Sequence, residues 1–167
     1  MPRFYDPTRS NNFIDSMILN AVAEGNDPAV NEIMRMMNED DVPVLLPYSV
    51  LAEATRSSTP PRVRAATAEF LQTLEVPLTQ PERVQFSRLL LGVAGNATPR
   101  RIASDLFHVC EAAKYGQHFI TRDKRLLKRR DRIEGFLQIA VVTPEEFLQK
   151  VSEARRRDIE LAQNTQT

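Results

Sequence analysis

The sequence has no tryptophan, one cysteine and two histidines in 167 residues, and each scarcity removes a class of chemistry. A lone Cys110 forms no internal disulfide, and with only His108 and His118 beside it a thiolate and imidazole zinc site has too few donors. Any metal would have to be held by oxygen. Aromatic residues make up 7% of the chain, which gives little support for a stacking platform for single strands. Glycines number 5, and no repeat, low-complexity tract or Gly/Ser linker divides the chain. No apolar run approaches the length of a bilayer span. The opening Met1-Pro2-Arg3-Phe4-Tyr5-Asp6 lacks the basic-then-apolar pattern of a secretory leader, so a cytoplasmic protein without membrane contact is expected.

What remains is the composition of an ordinary globular chain, 42% hydrophobic and 26% charged, long enough for one good core. One domain is expected over residues 1–150, with the end of a helix and a polar tail over 151–167. The net charge is zero but unevenly spread: residues 1–60 hold 4 Lys/Arg against 9 Asp/Glu, and residues 61–167 hold 18 against 13. Such a split suits an acidic site beside a basic surface.

Strand and helix signals alternate. Arg3-Phe4-Tyr5 reads as a strand ending at Asp6 and stopped by Pro7. Phe13, Met17, Ile18 and Ala21 then fall at helical spacing, and a second stripe follows the Asp27-Pro28 helix start. Val42 to Leu46 reads as a buried strand, with a helix opening near Ser49. Residues 62–74 and 81–93 carry helical periodicity on either side of a weak strand, Glu75-Val76-Pro77-Leu78. A helix spans about Pro99 to Tyr115 and ends at Gly116. His118 to Thr121 and Gln138 to Val142 read as buried strands, and Thr143-Pro144-Glu145-Glu146 combines a capping Thr, a first-turn Pro and a Glu three residues on. The expected fold is a three-layer α/β/α sandwich around a mostly parallel sheet of about five strands.

Ligands of such sheets sit beyond the carboxyl ends of the strands. Asp6 and Asp123 are expected there, each just past a strand. Glu53 opens the helix after the second strand, and Asp105 borders the buried stripe of its own helix. Carboxylates gathered in one crevice repel one another unless a hard cation such as Mg²⁺ or Mn²⁺ neutralises them. An ion so held can acidify a water and polarise a phosphate.

The segments Phe4-Tyr5-Asp6, Pro47 to Glu53, Ser104 to Val109 and Phe119 to Leu127 resemble, in order and spacing, the four acidic motifs of PIN-domain nucleases. The resemblance extends over about residues 3–150 and to the ending Val142 to Leu148, which is similar to that of bacterial VapC-type toxins. It implies a five-stranded parallel sandwich and Mg²⁺- or Mn²⁺-dependent endoribonuclease activity at Asp6, Glu53, Asp105 and Asp123. Thr121 would shape the site. It further implies an RNA substrate, an antitoxin partner and a homodimer. The family follows its first Asp with Ser or Thr and then Asn or Ser. Here Asp6 precedes Pro7 and Thr8, so Thr8, or Ser10 and Asn11, would take the polar role. Phe13-Ile14-Asp15-Ser16 also resembles the start of such a domain. Asp6 is the expected first ligand, because the stripe through Asp15 places that residue on a helix away from the crevice.

Each acid has a plainer reading as a solvated or capping residue, and Asp123 in particular as the cap of the next helix. Arg122, Lys124, Arg125, Lys128, Arg129 and Arg130 form the densest charge block, read either as a solvated face or as a phosphate-binding surface beside Asp123. His108 and Cys110 are expected to be structural. A rival from another class is a catalytically silent PIN-like module that binds RNA or protein, and a phosphatase of another α/β fold ranks below both.

Overall fold

The computed structural model describes residues 5–40, 42–95 and 98–165. In chain order the elements are β1 (Asn12–Ile14), α1 (Ser16–Glu24), α2 (Pro28–Glu39), β2 (Val44–Leu46), α3 (Tyr48–Ala54), α4 (Pro61–Ala66) and β3 (Leu71–Gln72). After these come α5 (Gln80–Ala94), α6 (Ala103–Tyr115), β4 (His118–Ile120), α7 (Lys124–Leu127), α8 (Arg130–Phe136), β5 (Ala140–Val142) and α9 (Pro144–Asn164). The strands form one sheet in the order β3-β2-β1-β4-β5, and every neighbouring pair is parallel.

Alternation along these short strands feeds two cores. Phe13, Phe119 and Val141 point to one face, where they join Leu89, Leu106, Val109 and Ile133 from α5, α6 and α8. Ile14, Ile120, Val142 and Leu46 point to the other, against Ile18, Ile33, Val50 and Phe147. A sheet covered on both sides gives continuous apolar strands, which is why β1, β4 and β5 are buried at every position. The chain is therefore an α/β sandwich with a five-stranded parallel sheet between helical layers. No helix among the described residues is long and apolar enough to cross a membrane.

Capping chemistry places the helices as expected at two points. Asp27 accepts hydrogen bonds from the Ala29 and Val30 amides ahead of Pro28, and Thr143 with Glu146 forms a reciprocal capping box. The helix α9 runs past residue 151 to Asn164 and buries Val151 and Ala154, so most of the stretch expected to hold a helix end and polar tail is helical.

Two strands lie elsewhere than expected. The first strand is Asn12–Ile14 rather than Arg3-Phe4-Tyr5; Arg3 and Phe4 lie outside the described residues, and Tyr5 is not in a strand. Residues 6–10 instead form a turn at the amino end of the sheet. There the Asn12 side chain donates to the Pro7, Ser10 and Pro43 carbonyls and accepts from His118 Nδ1 at 2.8 Å. The edge strand is Leu71–Gln72, within the stretch expected to be helical, and Glu75 to Leu78 belong to the loop before α5.

Parallel strands in this order reverse direction of winding between β1 and β4. That switch point opens a crevice at the carboxyl edge of the sheet. Asp15 closes β1 and Thr121 closes β4, and the Asp15 amide donates to the Ile120 carbonyl at 3.3 Å.

Candidate active site

Asp15 stands at the switch point. It caps α1 by accepting from the Ile18 amide at 2.9 Å, and its other oxygen accepts from the Thr121 hydroxyl. Thr121 Oγ1 in turn accepts from the Asp123 amide at 2.9 Å, so one hydroxyl ties the ends of β1 and β4 together. Asp15 is 5% exposed. Burial pushes its carboxyl up to about 6, the Thr121 and Ile18 hydrogen bonds oppose that rise, and the Asp123 and Asp105 charges add to it.

Asp123 follows β4 and caps α7 through the Arg125 amide at 2.7 Å, so the capping role and a place in the site coexist in one residue. Burial alone would raise its carboxyl, but hydrogen bonds from the Arg125 side chain and amide hold it below the usual range. Asp105 projects from the first turn of α6. Burial raises its carboxyl, the Arg125 guanidinium pulls it down, and the Asp123 charge raises it further. Arg125 bridges the two acids at 2.9 Å each.

Glu53, near the end of α3, faces the same group of charges through His108, which it contacts at Nε2 at 2.8 Å. His108 Nδ1 lies 2.8 Å from Ser49 Oγ, and the Ser49 hydroxyl donates to Glu111. Glu111 also accepts from the Ser49 amide at 2.9 Å and from Thr73 Oγ1 at 3.3 Å. This relay of Glu53, His108, Ser49, Glu111 and Thr73 links α3, α6 and the end of β3.

Asp6 is not at this site. It lies in the turn before β1, where it accepts from the Thr8 amide and hydroxyl at 2.9 and 2.7 Å and pairs with Arg9 at 3.5 Å. Its charge acts on His118, at the amino end of β4. The expected pairing of Asp6 with Thr8 is thus a local turn at the opposite edge. Asp15 takes the position expected of Asp6, because β1 ends at Ile14 and α1 begins only after it.

Of the other three acids expected from the sequence, Asp105 and Asp123 lie near enough for their charges to act on Asp15, Glu53 acts on Asp105 in turn, and Thr121 joins Asp15. His108, Ser49 and Glu111 were not expected. Their signal was Asp105, His108 and Glu111 at intervals of three on one helix, with Ser49 and Glu53 at an interval of four on another.

The basic run is largely committed to internal pairs. Arg122 bridges Asp27 and Glu145 at 2.7 Å each, Arg125 holds Asp105 and Asp123, and Arg130 pairs with Glu146 at 2.8 Å. Arg129 donates to the Arg125 carbonyl, and Lys124 and Lys128 are exposed. The run therefore does not form one uniform phosphate-facing surface.

Among the described residues, no group of three acidic, histidine or cysteine side chains is arranged to hold a metal ion as it stands. The reason is visible in the contacts: a guanidinium lies between Asp105 and Asp123, and an imidazole engages Glu53. The donor set nonetheless suits a hard dication. Every donor is a carboxylate oxygen, the Asp123 and Asp105 charges raise the carboxyl of Asp15, and Asp15 is a buried acid that lacks a cationic partner among its hydrogen bonds. No family model and no curated protein matches the chain.

Proposed function

We propose that the protein is a metal-dependent endoribonuclease of PIN type, with Asp15, Glu53, Asp105 and Asp123 holding Mg²⁺ or Mn²⁺. The observation that carries this reading is a buried Asp15 at the sheet's switch point, tied through the Thr121 hydroxyl to the Asp123 amide and acted on by the charges of Asp123 and Asp105. A dication bound there would acidify a water and offset the charge of a scissile phosphate. The chain's own residues do the positioning. Thr121 fixes the separation of Asp15 and Asp123, α6 presents Asp105 from its first turn, and His108 orients Glu53. These contacts hold the acids in place, and an ion would meet them once the Arg125 guanidinium releases Asp105 and Asp123. A toxin role, an antitoxin partner and a homodimer are the further implications of the family resemblance.

The test is cleavage of a labelled mixed-sequence RNA by the purified chain, with Mn²⁺ and with excess EDTA. Cleavage confined to the Mn²⁺ reaction is expected. A preparation that degrades RNA equally in EDTA, or not at all in Mn²⁺ or Mg²⁺, would remove the proposal.

One observation favours a second reading, a silent PIN-like binding module. Arg125 already supplies a cation to Asp105 and Asp123. If it only competes with the metal, Arg125→Gln should tighten Mn²⁺ binding by about tenfold, the effect of removing a charged competitor worth ~1.4 kcal/mol. Calorimetric titration of both proteins decides. Failure of both wild type and Arg125→Gln to bind Mn²⁺ would favour the silent module, with the guanidinium a permanent structural substitute.

A further inference from the structure

A cleft of about 450 Å³ opens beside Glu53, between α3, the loop before α5 and α6. Its lining includes Glu53, His108, Phe107, Val76, Tyr48 and Glu75. Phe107 is braced edge-to-face by Phe86, with ring centroids 5.6 Å apart, so the aromatic wall is rigid. The Tyr48 phenol is hydrogen-bonded to Glu75, which pushes its pKa up.

We infer that this cleft binds one unpaired nucleobase of the substrate and selects guanine, a reading that rests on the ribonuclease proposal. Continuity is the first support: Glu53 acts on Asp105 and also lines the cleft, so a strand with its phosphate at the acids has a base within reach of Phe107. Charge is the second. Glu53, Glu75 and Glu111 outnumber Arg56 along the lining, which disfavours a phosphate and favours a planar group with an edge of N–H donors. Guanine presents N1–H and N2–H side by side, the arrangement a single carboxylate accepts in two bonds. Size is the third, since the volume admits a nucleoside and excludes a duplex.

The experiment measures binding of four hexamers, oligouridine with a single central guanosine, adenosine, cytidine or uridine, to the full chain in EDTA by fluorescence anisotropy. Wild type is expected to prefer the guanosine hexamer by about tenfold, the size of two hydrogen bonds to a charged group after solvent competition. Glu75→Gln should erase that preference. Phe107→Leu should weaken all four hexamers by about tenfold through lost stacking. Equal affinities in wild type, or a guanosine preference that survives in Glu75→Gln, would overturn the inference. Because binding is read without metal, the two proposals fail separately. Absence of cleavage in Mn²⁺ with the guanosine preference intact removes the nuclease reading alone, and cleavage without base preference removes the pocket alone.

Discussion

Replacing Asp15 with Asn is expected to raise the melting temperature of the metal-free protein at pH 7 and to cut ribonuclease activity by about a thousandfold or more. The activity loss is the equivalent of ~4 kcal/mol of transition-state stabilisation, the scale of losing one charged ligand from a metal site. The stability gain follows from linkage. In the unfolded chain this carboxyl titrates at its ordinary 3.8, and in the folded protein at about 6. Between those values the folded protein keeps a proton that the unfolded chain has released, so stability falls as pH rises through the window. The full penalty, about 3 kcal/mol, is present above pH 6 and absent below the unfolded value. Asn carries no charge, and its oxygen still accepts from the Ile18 amide that Asp15 caps. The variant should therefore melt several degrees above wild type at pH 7 in EDTA and at the same temperature near pH 3.5. Mn²⁺ should stabilise wild type and leave the variant unmoved. Asp6→Asn, at the opposite edge of the sheet, should cleave RNA like wild type. An Asp15→Asn protein that melts lower at pH 7, or an inactive Asp6→Asn protein, would show that the acid cluster has been misplaced.

Much of this site was legible in the sequence, and the parts that were not have physical causes. Glu53, Asp105 and Asp123 sit next to elements with strong local signals: a Pro47 stop before α3, a stripe from Ile102 to Ala113, and the run Phe119-Ile120-Thr121. Asp15 follows a strand of three residues, too short to display alternation, and buried at all three positions because both sheet faces are covered. Phe13 then lines up by chance with Met17, Ile18 and Ala21, and the helical period runs backward through the strand. Met17 is 47% exposed while Phe13 and Ile18 are buried in opposite cores, so the stripe is not one buried face. The edge strand was hidden for the opposite reason. Leu71 is 78% exposed and β3 has two residues, so neither burial nor periodicity marks it, while Val76 and Leu78 carry strand propensity in a loop. His108 is expected to be structural because it lies on a helix whose apolar stripe accounts for it. Its contacts with Ser49 and Glu53 depend on α3 packing against α6, a tertiary fact that local pattern does not contain.

The register that brings Asp15 to Thr121 is set at the far end of the same two strands, and Gly116→Ala is expected to destroy it. Gly116 precedes β4 in an extended conformation that any residue adopts, so its requirement is space and not backbone freedom. An added Cβ would press into the Asn11 carbonyl oxygen and lie 2.6 Å from the Phe13 ring. Neither can retreat. Asn11 is tied across the gap by the Gln117 amide at 3.0 Å and by its own side chain to the Tyr115 carbonyl at 3.0 Å, and Phe13 is fully buried. From this contact β1 and β4 run in register, Asn12 beside His118 and Ile14 beside Ile120, to the pair of residues that form the site. Forcing the strands apart here costs ~3 kcal/mol or more, since backbone must move as well as side chain. Gly92→Ala provides the comparison. Its Cβ would meet the Phe136 ring at 2.5 Å, a closer approach than the one to Phe13, yet that ring is 45% exposed and free to swing outward. In a helix interior the alanine also recovers up to ~1 kcal/mol of propensity. Chemical denaturation should find Gly92→Ala within about 1 kcal/mol of wild type and Gly116→Ala largely unfolded or strongly destabilised. Equal and small effects at the two positions would mean that β1 and β4 can separate without consequence, and that the alignment of Asp15 with Thr121 is held by the site itself.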